Sequence, residues 1–295
     1  MVRERTVRLE SGQKLEVLEG GMAEGLPVFT LHGTPGSRLQ YPAFAADAAA
    51  KGIRLISYDR PGYGRSSPVP GRRVVDEAAY VAAIADDLGI DRFAVWGWSG
   101  GGAPALACAA SLPKRVVAAA SLAGVAPYPA EGLDWPAGMG ELNVSDFHLA
   151  LEDPTGFDLK CRKDREELLA AGPDQLAEMW ASVFSQVDRA ALAAEFKELM
   201  GFLILQVQEG LKSGHEGMRD DGLSQVRPYG FDPSSIRVPV QIWQGGQDLM
   251  VPFAHGKWLA ARVPHADVHL EPDEGHITIG GRHIPDVHRW LASKF

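Results

Sequence analysis

The chain has little of what many functions require. Only two cysteines occur among its 295 residues, Cys108 and Cys161, too few and too far apart for a disulfide framework or a Cys-rich metal site. Both are expected to be reduced thiols without a catalytic role, with Cys108 buried in an Ala-rich helix. Positive charge is scarce as well. The formal net charge is -9, and no basic cluster exceeds pairs such as Arg72-Arg73. That argues against a phosphate-tracking surface, and nucleic acid is not an expected partner. No apolar run approaches the roughly 18 residues of a membrane span. The opening "MVRERTVRLESGQKLEVLEG" alternates charged with apolar residues and lacks the apolar core of a secretory signal. The expectation is a cytoplasmic protein with no membrane partner. His and carboxylate residues show no metal-ligand spacing. No Gly-rich stretch carries the Lys-Ser/Thr of a phosphate loop or the spaced acidic partner of a dinucleotide site. Neither a metal nor a cofactor is expected.

What the chain does have is a rhythm of short apolar runs separated by helical patterns. After an N-terminal hairpin near 4–9 and 14–19 come strand-like runs at 27–33, 53–59, 92–97 and 115–124. Helical stretches fill the gaps at about 41–50, 74–89 and from 102 to about 112. Apolar strands separated by helices imply a mostly parallel central sheet with helices on both faces. The rhythm breaks after Gly124 in the Pro/Gly-rich "APYPAEGLDWPAGMG", and about 90 mainly helical residues follow. It resumes with strands at 238–245 and 266–271 and helices near 252–262 and 282–293. The expected organisation is an α/β core, 1–126 and 232–295, interrupted after its sixth major strand by a helical insertion, 127–231. An insertion at that point emerges where open α/β sheets keep their ligand crevice.

The segment "GWSGG" (97–101) lies between a strand and a helix, the setting of a G-x-S-x-G nucleophile elbow. Gly97 and Gly101 let the two backbones meet closely, and the turn presents the Ser99 hydroxyl. A serine needs a base to take its proton. Of nine histidines, His276 alone falls in a polar loop, "EPDEGHITIG", at the carboxyl end of a strand. The base in turn needs a carboxylate to fix its tautomer. Asp248 in "QGGQDLMVP" follows the preceding strand on the same face, with Asp273 and Glu274 as neighbouring alternatives. Attack on a carbonyl also needs N–H donors for the developing oxyanion. The amide of Gly100 is one candidate. Because Pro35 has no N–H, the amide of Thr34 in "HGTPGS" is the other. Aromatic and Met side chains of the insertion, including Trp135, Met179, Trp180, Phe196 and Phe202, are candidates to line a pocket. No cluster of buried charge is evident there.

Five segments, "HGTPG" (32–36), "DRPGYGRS" (59–66), "GWSGG" (97–101), "GQDLMVP" (246–252) and "EGH" (274–276), occur in an order and spacing that resemble the α/β-hydrolase fold superfamily. The resemblance covers the core on both sides of the insertion. It implies an α/β-hydrolase fold and an esterase-like serine hydrolase with a helical cap over its pocket, acting on a small ester-like molecule. It also implies that Asp59 and Arg60 form a structural turn rather than part of the chemistry. Serine at position 99 departs from the epoxide hydrolases and haloalkane dehalogenases, which carry Asp there. "HGTPG" and "GWSGG" depart from the "HGGPG" and "GGSWG" of proline iminopeptidases. An amidase or aminopeptidase, a C–C bond hydrolase and a non-catalytic binding protein of the same fold remain alternatives.

Overall fold

The computed structural model describes residues 2–295. Its sheet is built from β1 (Arg3–Arg8), β2 (Lys14–Gly21), β3 (Leu26–Leu31), β4 (Ile53–Tyr58), β5 (Phe93–Trp98), β6 (Val116–Leu122), β7 (Val240–Gly245) and β8 (Asp267–Glu271). The spatial order is β1-β2-β4-β3-β5-β6-β7-β8. β1 pairs with β2, and β2 with β4, in antiparallel fashion; all later pairings are parallel. The expected α/β-hydrolase fold is the one observed.

Strand alternation divides the interior into two cores. Phe93 and Val95 of β5 face one side, with Phe29, Ile56 and Ile242; Ala94 and Trp96 face the other, with Val28, Leu55 and Trp243. The first side is covered by α2 (Glu77–Asp87), α3 (Gly102–Ser111) and α10 (Phe253–Arg262), through Val81, Ile84, Leu106 and Leu259. The second is covered by α1 (Pro42–Ala50) and α11 (His276–Ala292), through Ala48, Ile279, Ile284 and Leu291. Small Ala side chains on α3 let it lie close to the sheet, which is why an Ala-rich helix follows the elbow.

Between β6 and β7 the chain forms α4 (Glu141–Glu152), α5 (Pro154–Ala170), α6 (Pro173–Met179), α7 (Gln186–Ala193), α8 (Lys197–Leu211) and α9 (Glu216–Gln225). No helix among the described residues is long and apolar enough to cross a membrane. One expectation is corrected. The last helix does not start near 282 but at His276 itself, with Gly275 as its N-cap, and it carries Pro285 in its interior. Gly280, Gly281 and Pro285 make this stretch read as a loop, and tertiary contacts override them. A Cβ at Gly280 would lie 2.5 Å from the Trp98 ring, so the glycine is needed for that packing.

The insertion is bound to the core by buried charge. Asp221 of α9 accepts from Arg60 at 2.7 and 2.5 Å, from Arg72 at 2.5 Å and from the Tyr63 hydroxyl at 2.7 Å. The Thr34 hydroxyl also donates to it. Burial alone would raise the Asp221 pKa, but the two guanidinium groups outweigh it and hold the carboxyl well below its usual range. Burial raises the pKa of Glu77 as well, and the charges of Arg60 and Arg72 offset only part of that. Removing one member of such a network leaves an uncompensated charge in the interior. Asp221→Ala is therefore expected to lower the unfolding free energy by about 3–5 kcal/mol at pH 7, measured by urea denaturation. A loss below about 1 kcal/mol would show that water reaches the arginines.

Candidate functional site

β5 ends at Trp98, and Ser99 follows with φ +58°, a left-handed conformation that costs a non-glycine residue about 1–3 kcal/mol. A 3-10 turn over Ser99–Gly101 then leads into α3, so Pro104 falls within the first turn of a helix that begins late. A Cβ at Gly97 would overlap the Gly101 carbonyl, and one at Gly101 the Leu31 carbonyl. The elbow is thus held by close backbone approach on both sides. A Cβ at Gly100 would stand 3.0 Å from the Thr34 nitrogen, so the two oxyanion candidates lie side by side. The Thr34 N–H finds no protein acceptor among the described residues.

Asp248 sits in the turn after β7 and is 3% exposed. Its Oδ1 accepts from the backbone N–H groups of Met250 and Val251, each at 2.8 Å. Its Oδ2 accepts from Gln244 Nε2 at 3.1 Å and lies 2.8 Å from His276 Nδ1. A carboxylate so satisfied can only accept, so Nδ1 carries the imidazole hydrogen and Nε2 is left basic. His276 is held elsewhere too. The Trp98 ring stacks on it at 6.0 Å, and Trp98 Nε1 donates to its carbonyl at 3.1 Å. Burial disfavours the imidazolium, but Asp248, by charge and hydrogen bond, together with the charge of Asp188, outweighs this and raises the pKa above 6.5. Asp273 and Glu274 do not compete: Glu274 pairs with Arg282 at 3.0 Å, and Asp273 is exposed.

Ser99, His276, Thr34 and Gly100 line one cavity of about 510 Å³, walled in part by the insertion. No hydrogen bond joins Ser99 to His276 among the described residues, and such contacts often tighten only with substrate bound. The wall includes Trp135, Met179, Trp180, Phe184 and Val207. Phe196 and Phe202 are not part of it. Phe196 lies against Gly281, and Phe202 packs on Tyr41 at 5.3 Å. Contrary to expectation, the insertion does hold buried charge: Asp188, Asp220 and Asp221 are all nearly inaccessible. The wall also includes Lys160, bound by Asp146 at 2.9 Å and Asp164 at 2.5 Å, and Glu167. No group of three or more His, Cys, Asp or Glu residues suited to a metal occurs among the described residues.

Two contributors escape a reading of the sequence. Trp98 is adjacent to the serine, yet nothing local reveals that its indole supports His276. Asp188 belongs to "SQVD", which signals a helix start and gives no hint of its long-range partners.

Residues 27–280 match the family model described as the α/β hydrolase fold, and the chain belongs to that family. A dihydrolipoyllysine-residue acetyltransferase component of an acetoin cleaving system from Cupriavidus necator is 28% identical over 88% of this chain. The chain spans only 60% of that relative's length. A 2-hydroxy-6-oxononadienedioate/2-hydroxy-6-oxononatrienedioate hydrolase from Burkholderia vietnamiensis is 25% identical, over 91% of this chain and 87% of that one. Among solved structures, a thermophilic esterase from Thermogutta terrifontis superposes with a TM-score of 0.70 at 20% identity, covering 100% and 99% of the two chains. That likeness concerns the fold.

The imidazole environments give a measurable contrast. Burial pushes His32 down to about 3 and His255 down to about 4. His276 adds stability that is complete below the unfolded pKa near ~6.5 and is lost as pH rises through its higher folded value. His255 acts in the opposite sense, costing stability as pH falls from ~6.5 toward its folded value. NMR titration of the ring protons is expected to show His276 charging above 6.5 while His32 and His255 stay neutral from pH 5 to 8. A His276 that titrates below 6.5 would contradict this account of the pair.

Proposed function

We propose that the protein is a cofactor-independent serine hydrolase of small carboxylic esters or lactones, working through an acyl-enzyme at Ser99. One observation carries the reading: His276, paired at 2.8 Å with the buried Asp248, lines the same cavity as a serine held in left-handed geometry. In the first step His276 Nε2 takes the Ser99 proton as Oγ bonds to the substrate carbonyl carbon. The carbonyl oxygen gains charge, which the N–H groups of Thr34 and Gly100 stabilise. The imidazolium then gives its proton to the departing alkoxide. Water, activated by the same histidine, attacks the acyl-enzyme and restores the serine. Asp248 holds the tautomer throughout and offsets the imidazolium charge. The helical insertion, residues 127–231, serves as a cap that excludes water and shapes the acyl pocket.

The cavity favours an uncharged ester over a dianion. The B. vietnamiensis relative is named for a dicarboxylate, and here such a substrate would meet Asp146, Asp164 and Glu167. Lys160, the ammonium among the residues lining the cavity, is already bound by two of those acids, and Glu167 pairs with Lys163 at 3.3 Å.

A fluorophosphonate probe is expected to label Ser99, and Ser99→Ala to abolish labelling and lower p-nitrophenyl ester turnover by about 10⁴-fold or more. Near-normal turnover in the folded variant would overturn the reading. The rate is also expected to fall on an acid limb governed by His276, with a midpoint above 6.5 because its pKa is raised. A flat profile from pH 5 to 8 would exclude a histidine base.

Trp180 lines the cavity, whereas Phe202 does not. Trp180→Ala is expected to change the ranking among acyl chain lengths by about 1–3 kcal/mol in kcat/KM, with little effect on fluorophosphonate labelling. An unchanged ranking would place the acyl group elsewhere.

A further inference from the structure

α11 begins at His276 without a side-chain cap from its own N-terminal residue. Its N-cap is Gly275, which has no side chain to accept from the exposed N–H groups of the first turn. Those groups are nevertheless satisfied. Asp188, 88 residues earlier in the chain, accepts from the backbone N–H of His276 at 2.9 Å. It also accepts from Ile277 at 2.8 Å and Thr278 at 3.1 Å. The Ser185 hydroxyl donates to the same carboxylate at 2.9 Å, and Asp188 is fully buried. The two sites are complementary in shape: a Cβ at Gly275 would overlap the Asp188 carboxylate.

We propose that Asp188 is a positioning residue for the base: the insertion, through this one carboxylate, sets the backbone of His276 and thereby its reach toward Ser99. The inference rests on the hydrolase reading above. His276 is fixed at its ring by Asp248 and at its carbonyl by Trp98. Asp188 is the constraint on its backbone nitrogen, and it comes from the insertion rather than from the core. A carboxylate at a helix N-terminus also meets the positive end of the helix dipole, so the contact is electrostatically favoured. The charged groups facing His276 are Asp248, from the turn after β7, and Asp188, from α7. Glu274, on its own loop, is engaged by Arg282. When the serine proton reaches His276, Asp188 stabilises the resulting cation as a second, more distant anion.

A purely structural staple and a positioning residue differ in what they change. Asp188→Asn keeps the shape, removes the charge and turns one acceptor into a donor facing an N–H. Loss of the base's placement is expected to lower kcat and the Ser99 labelling rate on the order of 10²-fold with KM within about threefold. The acid limb of kcat/KM and the His276 NMR titration are both expected to move to lower pH. In the double variant Asp188→Ala/Gly275→Ser, the vacated space admits a local cap. Gly275 already has the extended backbone of an N-cap residue, at φ -103°, so a serine there is unstrained. This variant is expected to recover kcat toward wild type relative to Asp188→Ala alone. It also answers the case in which Asp188→Asn fails to fold. A folded Asp188→Asn protein with wild-type kcat and an unmoved acid limb overturns the inference and leaves the hydrolase reading standing. A double variant that folds but recovers nothing also overturns it. A wild type that neither hydrolyses esters nor labels at Ser99 overturns both.

Discussion

An ionised carboxylate cannot remain inside a protein without partners for each of its oxygens, and this site is assembled around three that are buried. Asp248 gathers two backbone amides, Gln244 and the imidazole of His276. Asp221 gathers two arginines, a tyrosine and the hydroxyl of Thr34. Asp188 gathers three amides and a serine. Each satisfied carboxylate fixes the segment that satisfies it, because letting go would leave a buried charge exposed to a low dielectric. The segments so fixed are the turn after β7, the loop after β3 and the start of α11. These carry the proposed orienting acid, one oxyanion donor and the proposed base. The strained Ser99 turn is set into a frame that is already rigid.

How much of this could be read beforehand depends on the distance over which each feature is encoded. The sheet was legible because a strand's burial pattern is written in its own residues: the apolar runs at 53–58 and 116–122 name themselves. The elbow was legible because Gly97, Ser99 and Gly101 fall within five consecutive residues and the glycines' close contacts need small residues wherever the fold places them. The start of α11 was not. Its local signals, two glycines and a proline, oppose a helix, and the acceptor that caps it comes from another part of the chain. Phe202 and Trp180 make the same point on a smaller scale. Both are apolar residues of the insertion, yet one packs beside Tyr41 and the other faces the cavity, and only three-dimensional packing separates them.

The insertion meets the core along seams that each end near the site. α4 contributes a third: the Gly140 N–H donates to the Leu249 carbonyl at 2.8 Å, and Asn143 donates to the Met250 carbonyl at 3.1 Å, next to Asp248. A division in which the core does the chemistry and the insertion only selects the substrate is therefore too simple. The division that the packing supports runs between helix faces rather than between segments. On α9, Met218, Gly222 and Gln225 line the cavity at helical spacing. On the neighbouring face Gly217 lies against Gly62 and Tyr63, and Asp221 binds Arg60. α7 contributes nothing to the cavity wall and supplies Asp188. A substitution on the inward face changes what fits beside Ser99 while leaving the seam intact. One on the seam face disturbs the frame that holds His276 and the loop carrying the proposed oxyanion donor, whatever the substrate. Specificity and catalysis can then vary separately within a single helix, because residues one position apart project about 100° apart around its axis.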